Sequence, residues 1–125
     1  MGFWNSLTSG PSIPEHWNEL ESIDQLTEVF ALSTHKPVVI FKHSTRCGIS
    51  MSAKRRLEKG IAPDAPYDFY YLDLLRHRDV SDAIAEKTKL THQSPQLIVL
   101  VDGQVRAHGS HEMVNAQLIT GNLSQ

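Results

Sequence analysis

The single cysteine of this 125-residue chain, Cys47, stands in the run Phe41-Lys42-His43-Ser44-Thr45-Arg46-Cys47-Gly48-Ile49-Ser50. The apolar segment Val38-Val39-Ile40-Phe41 leads into the run and a helical pattern leaves it. A thiol at such a strand, loop and helix junction meets free backbone amides and the positive end of the helix dipole. Both favour the thiolate, the form that attacks disulfides. Three residues on, where a Cys-x-x-Cys oxidoreductase carries its second cysteine, the chain has Ser50. No internal disulfide can close, so a mixed disulfide with a small thiol or a protein becomes the natural intermediate. The plainer use of a lone cysteine, as a small core residue, fits poorly with the flanking Ser44, Thr45, Arg46, Gly48 and Ser50.

Around the thiol, Arg46 supplies local positive charge and Ser50 is placed to donate a hydrogen bond to the thiolate. His43 and His92 are further groups that, if charged, would favour the ionised sulfur. The seven histidines also raise the question of a metal. Neither the His43-x-x-x-Cys47 spacing nor the scattered His16, His35 and His77 matches a closed site, so no metal and no tightly bound cofactor are expected.

The elements that must hold these residues fit one domain, long enough to bury a core without disulfide staples. A formal net charge of −2 gives no global attraction to nucleic acid. No segment has the length and apolarity of a membrane span, and no basic start precedes an apolar stretch. A soluble protein of the reducing cytosol, a monomer, is expected. Gly2 and Ser6 formally fit an N-myristoylation pattern, one too short and common to carry weight. Residues 1–14, with Gly10, Pro11 and Pro14, read as an irregular arm tucked down by Phe3, Trp4 and Leu7, and residues 15–125 as the domain.

Within that domain, 16–20 suggests a short edge strand, and Ser22 with Gln25 a capping box opening a helix to about Ser33. The unbroken apolar run from Val38 to Lys42 is the pattern of a central strand buried on both faces. After Cys47, Ile49, Ala53 and Leu57 recur at intervals of four and mark the inner face of a helix ending at Gly60, with Lys54, Arg55, Arg56 and Lys59 solvated. A second central strand spans 67–75. Asp79 or Ser81 caps a helix to about Lys89, with Val80, Ala83, Ile84 and Leu90 inward. Strands over 96–101 and 104–108 flank the hairpin turn Asp102-Gly103, and a last helix runs from a Ser110 cap to about Gly121.

Right-handed crossovers make the Val38 and Tyr67 strands parallel and set the final hairpin antiparallel on the other side. This is an α/β order with a mixed central sheet flanked by helices on both faces, and it resembles the thioredoxin fold. It puts Cys47 at the carboxyl end of a central strand, where open α/β sheets bind ligands. In such a domain the Ser94-Pro95 loop lies beside the cysteine. A cis Ser94–Pro95 bond is expected there, with the Ser94 backbone turned outward to pair with an extended thiol substrate.

The motifs His43-Ser44-Thr45-Arg46-Cys47-Gly48-Ile49-Ser50, His92-Gln93-Ser94-Pro95-Gln96 and Ser110-His111 together resemble those of the bacillithiol-system YtxJ family, the monothiol bacilliredoxins. The resemblance spans roughly residue 16 to the C-terminus. It implies a thioredoxin-like fold and removal of bacillithiol, a co-substrate, from bacillithiolated client proteins, with Cys47 as nucleophile, Ser50 at the non-resolving position and Pro95 on the substrate side. Family members often carry proline directly after the cysteine, where it suits the first helical turn, and this chain has Gly48. Glycine there adds a free N–H near the sulfur, so Gly48 counts with Arg46 and Ser50 among the groups expected to favour the thiolate. Cys47-Gly48-Ile49-Ser50 therefore also approaches the Cys-Gly-Phe-Ser motif of monothiol glutaredoxins, which bind glutathione and bridge a 2Fe–2S cluster. Against that rival, Ala107-His108-Gly109-Ser110-His111 replaces the Gly-Gly and acidic segment that would hold glutathione. A thioredoxin-like protein that senses or binds without catalysis is the third reading.

Overall fold

Strand β2, Val38–His43, shows why the chain folds as it does: all six residues are buried. They are because β2 pairs on one edge with β3 (Asp68–Asp73), in parallel, and on the other with β4 (Gln96–Val101), antiparallel. Helices then cover both faces, so an unbroken apolar run has no solvent side to accommodate. The computed structural model describes residues 13–123. Nearly all of the arm expected over 1–14, with Gly2, Phe3, Trp4, Ser6 and Leu7, lies outside the described residues.

The elements run β1 (Asn18–Glu19), α1 (Ile23–Leu32), β2, α2 (Gly48–Gly60), β3, α3 (Arg78–Thr88), β4, β5 (Gln104–Ser110), a 3-10 turn (His111–Met113) and α4 (Ala116–Thr120). The sheet order is β1-β3-β2-β4-β5, with the edge strand and closing hairpin on the expected sides. At the hairpin Asp102 and Gly103 take φ of 55° and 77°, the left-handed pair that a tight two-residue turn needs. On one face Val39, Phe41, Phe69 and Tyr71 pack with Ala53 and Leu57 of α2 and Ile119 of α4. On the other, Val38, Ile40 and Leu72 pack with Leu26 and Val29 of α1 and Val80 and Ile84 of α3.

Several local expectations are corrected. Ser22 caps α1 by accepting from the Gln25 amide at 3.1 Å, while the Gln25 side chain reaches the amide of Glu21, one residue before the cap. α3 begins behind His77, not behind Asp79 or Ser81. The Asp73 carboxylate accepts from the amides of Leu75 and Arg76, winding the chain early, which leaves Asp79 in the first turn and Ser81 buried. In α2, Ala53 and Leu57 face inward, but Ile49 is 56% exposed. Lys54 and Arg56 are not simply solvated: Lys54 pairs with Glu58 at 2.7 Å, and Arg56 donates to the carbonyls of His111 and Val114. The expected last helix divides because buried Val114 enters the core, so Ser110 leads only the 3-10 turn and Asn115 caps α4 by accepting from the Leu118 amide.

Candidate active site

Cys47 occupies the N-cap position of α2, with extended backbone (φ −110°), a half-buried side chain and exposed neighbours Arg46 and Gly48. A tight loop delivers it there. The Cys47 amide donates to the Ser44 carbonyl at 3.2 Å, and the Cys47 carbonyl accepts the Met51 amide at 2.9 Å. The sulfur takes no capping hydrogen bond, so it stands at the positive end of α2 uncommitted to a backbone donor. Gly48 opens the helix, and a Cβ added to it would meet nothing within 4 Å. Glycine at this position answers no steric demand.

Ser50 is fully buried one turn into α2. Its Oγ accepts from the Ser44 amide at 3.1 Å and lies 2.6 Å from His43 Nδ1. The oxygen thus joins a backbone N–H and a ring nitrogen, tying the loop to the buried imidazole. The hydroxyl expected on the thiolate is thus held beneath the loop, bracing Ser44, the residue whose carbonyl holds the Cys47 amide. His43 cannot be the cation considered above: burial, with the Lys54 ammonium nearby, pushes its pKa down to about 4. It lies among Phe41 and Tyr71, at ring-centroid distances of 5.5 and 5.6 Å.

The second wall comes from the loop before β4. The Ser94–Pro95 bond is cis. The antiparallel register ends at Lys42↔Gln96, so Pro95 directly precedes the residue paired with Lys42 while His43 directly follows Lys42. Pro95 is buried and Ser94 half-buried, and the Pro95 carbonyl accepts from His111 at 3.3 Å, tying this loop to the one after β5. His92 is likewise disfavoured as a cation. Its Nδ1 takes a hydrogen bond from the Lys42 ammonium at 2.7 Å, and burial with that neighbouring charge lowers its pKa.

Sequence reasoning did not anticipate the pairings of His43 with Ser50 and of Lys42 with His92, nor Arg76 before α3 and Arg78 at its first position, which share a cleft with Arg46. Two polar residues closing an otherwise apolar strand were the available signal. Among the described residues no group of three or more His, Cys, Asp or Glu is placed to hold a metal ion, and no helix is long and apolar enough to cross a membrane.

This architecture is a thioredoxin fold. It is shared by a candidate oxidoreductase with a thioredoxin fold, 34% identical, TM-score 0.75, covering 85% of this chain and 92% of that one. The thioredoxin of Malassezia sympodialis (20% identity, TM-score 0.63, 89% and 91% covered) and that of Fasciola hepatica (17%, 0.64, 83% and 93%) share the fold alone. Over residues 18–119 the chain matches the monothiol bacilliredoxin BrxC family, and it belongs to that family. Its function is therefore thiol redox chemistry.

Proposed function

We propose that the protein removes bacillithiol from protein mixed disulfides. The Cys47 thiolate attacks the bacillithiol sulfur of a client–S–S–bacillithiol adduct. The client sulfur leaves with the electron pair of the broken S–S bond and is protonated by solvent, while Cys47 keeps bacillithiol in a new disulfide. A second bacillithiol, as thiolate, then attacks that disulfide, freeing Cys47 and leaving as oxidised bacillithiol. On this reading Cys47 is the catalytic residue, Ser94 and Pro95 flank the incoming disulfide, and the chain works as a cytosolic monomer.

The observation that supports it best is the fate of Ser50. At the position of a resolving cysteine stands a fully buried hydroxyl hydrogen-bonded to His43, with no route to the mixed disulfide. Such a site can be regenerated only by a second molecule. The test is intact-mass spectrometry of the reduced protein after exposure to oxidised bacillithiol or oxidised glutathione, together with recovery of a bacillithiolated client. The expected result is a single bacillithiol adduct on Cys47, formed faster than any glutathione adduct, and no client recovery by Cys47→Ser. Client recovery by Cys47→Ser, or preferential glutathione uptake, would overturn the proposal.

A further inference from the structure

The turn between β3 and α3 faces the loop that carries the thiol across an open cleft of about 510 Å³, lined by Thr45, Arg46, Asp73, Leu75, Arg76 and Arg78. The volume falls in the range of small-molecule sites. Two of its lining residues, Thr45 and Arg46, immediately precede Cys47 on the loop that carries the thiol.

The charge of the lining is one-sided. It contains three arginines and a single carboxylate, Asp73, in a chain whose formal net charge is −2. Arg46 and Arg78 are exposed, as is Arg76, and none of the three forms a salt bridge among the described residues. Asp73 does not neutralise them at contact: it is 7% exposed and its Oδ1 accepts from the Leu75 and Arg76 amides, holding the turn in shape. Glu19, on the neighbouring edge strand, is close enough for Arg76 to influence its charge but makes no ion pair with it. Guanidinium groups left unpaired around a cleft form a receptor for carboxylates, which they bind through two parallel N–H donors.

We propose that this cleft holds the carboxylates of the low-molecular-weight thiol disulfide-bonded to Cys47, and so selects a small thiol with two closely spaced carboxylates. Bacillithiol, with its malate arm, is of that class. Glutathione instead spreads its two carboxylates to opposite ends of a tripeptide. The inference rests on the function proposed above and names the part of the molecule that recognises the thiol.

The test is the rate at which reduced protein forms its Cys47 adduct with oxidised bacillithiol and with uncharged bis(2-hydroxyethyl) disulfide, for the wild type, the double variant R76Q/R78Q and the charge-conserving R76K/R78K. Circular dichroism checks that each is folded. Expected for R76Q/R78Q is a roughly ten- to fiftyfold slower reaction with oxidised bacillithiol and less than about a twofold change with the uncharged disulfide. R76K/R78K should recover part of the loss, and added salt should slow the wild type toward the double variant. Equal slowing with both disulfides, or none with either, overturns the inference. So does slowing confined to a peptide mixed disulfide flanked by Asp and Glu, which would assign the cleft to client proteins. A wild type that reacts with no oxidised small thiol refutes the function itself. A wild type that reacts with oxidised bacillithiol, with no difference among variants, refutes only the cleft.

Discussion

Lys42 and His43 are consecutive, and the pleat of β2 sends them to opposite faces of the sheet, where each is fully buried and each anchors one side of the site. On the α2 face, His43 is neutral and its Nδ1 shares a hydrogen bond with Ser50 Oγ at 2.6 Å, which ties down the start of the helix that presents Cys47. On the α1 and α3 face, Lys42 reaches out to exposed His92 at 2.7 Å and thereby holds the segment leading to cis-Pro95. The first solution keeps charge out of the core. The second carries a charge into it and stabilises that charge poorly, since burial pushes the Lys42 ammonium down to about 8. The helix that presents the thiol is therefore held by a neutral anchor, and the segment leading to cis-Pro95 by the more costly charged one.

Breaking the neutral anchor should have the largest effect. His43→Ala removes a buried ring and leaves the buried Ser50 hydroxyl without its ring partner, at an expected cost of about 3–4 kcal/mol in urea unfolding. Ser50→Ala instead leaves Nδ1 and the Ser44 amide without that oxygen, at about 1–3 kcal/mol. If His43→Ala costs under about 1 kcal/mol, the anchor carries little of the fold.

The same histidine sets a pH dependence of known sign. Its pKa falls from 6.5 to about 4 on folding, so between those values the unfolded chain binds the extra proton. Its contribution is complete above pH 6.5 and is lost as pH falls through about 4. The predicted loss over that window, relative to His43→Asn, is roughly 3 kcal/mol. Urea titrations of both proteins at pH 4–7 check it, and parallel curves would remove His43 as the cause.

The strands and their neighbours were legible because local chemistry decided them: an unbroken apolar run can only be central, Asp102-Gly103 can turn in two residues, and Ser22 can cap. The position of Cys47 at a helix start was legible for the same reason. What could not be read depends on contacts made after folding. Ile49 keeps the helical period of Ala53 and Leu57, yet stays exposed in the first turn of α2. Arg56 looked solvated until the chain 58 residues later brought the Val114 carbonyl to it. Ser50 was assigned to the thiolate because sequence gives its distance from Cys47 along the helix but not the side to which its hydroxyl turns, and Asp73 concealed the true start of α3 by folding the turn before it.

A smaller effect, of opposite sign, is expected on the charged face. Below about pH 8 the folded protein bears the full cost of burying the Lys42 ammonium, and the cost fades as pH rises toward 10.5, where the unfolded chain also loses that proton. Lys42→Met removes the charge at similar length while giving up the bond to His92. A net gain of about 1–2 kcal/mol at pH 7, shrinking to nothing or to a loss by pH 10.5, is expected. A gain independent of pH would mean that packing, not charge, is responsible.

The finest contrast lies between two buried serines that each face a histidine Nδ1. Ser50 Oγ is 2.6 Å from His43, whereas Ser81 Oγ is 3.4 Å from His92. The His92 nitrogen has one lone pair, and the Lys42 ammonium already takes it at 2.7 Å. Ser81 therefore competes for an occupied acceptor, and alanine is the better helix former at a position inside α3. Ser81→Ala should change stability by no more than about 0.5 kcal/mol, against the 1–3 kcal/mol for Ser50→Ala. If the two cost the same, the 3.4 Å contact is as strong as the 2.6 Å one, and the difference drawn between the two faces of β2 does not hold.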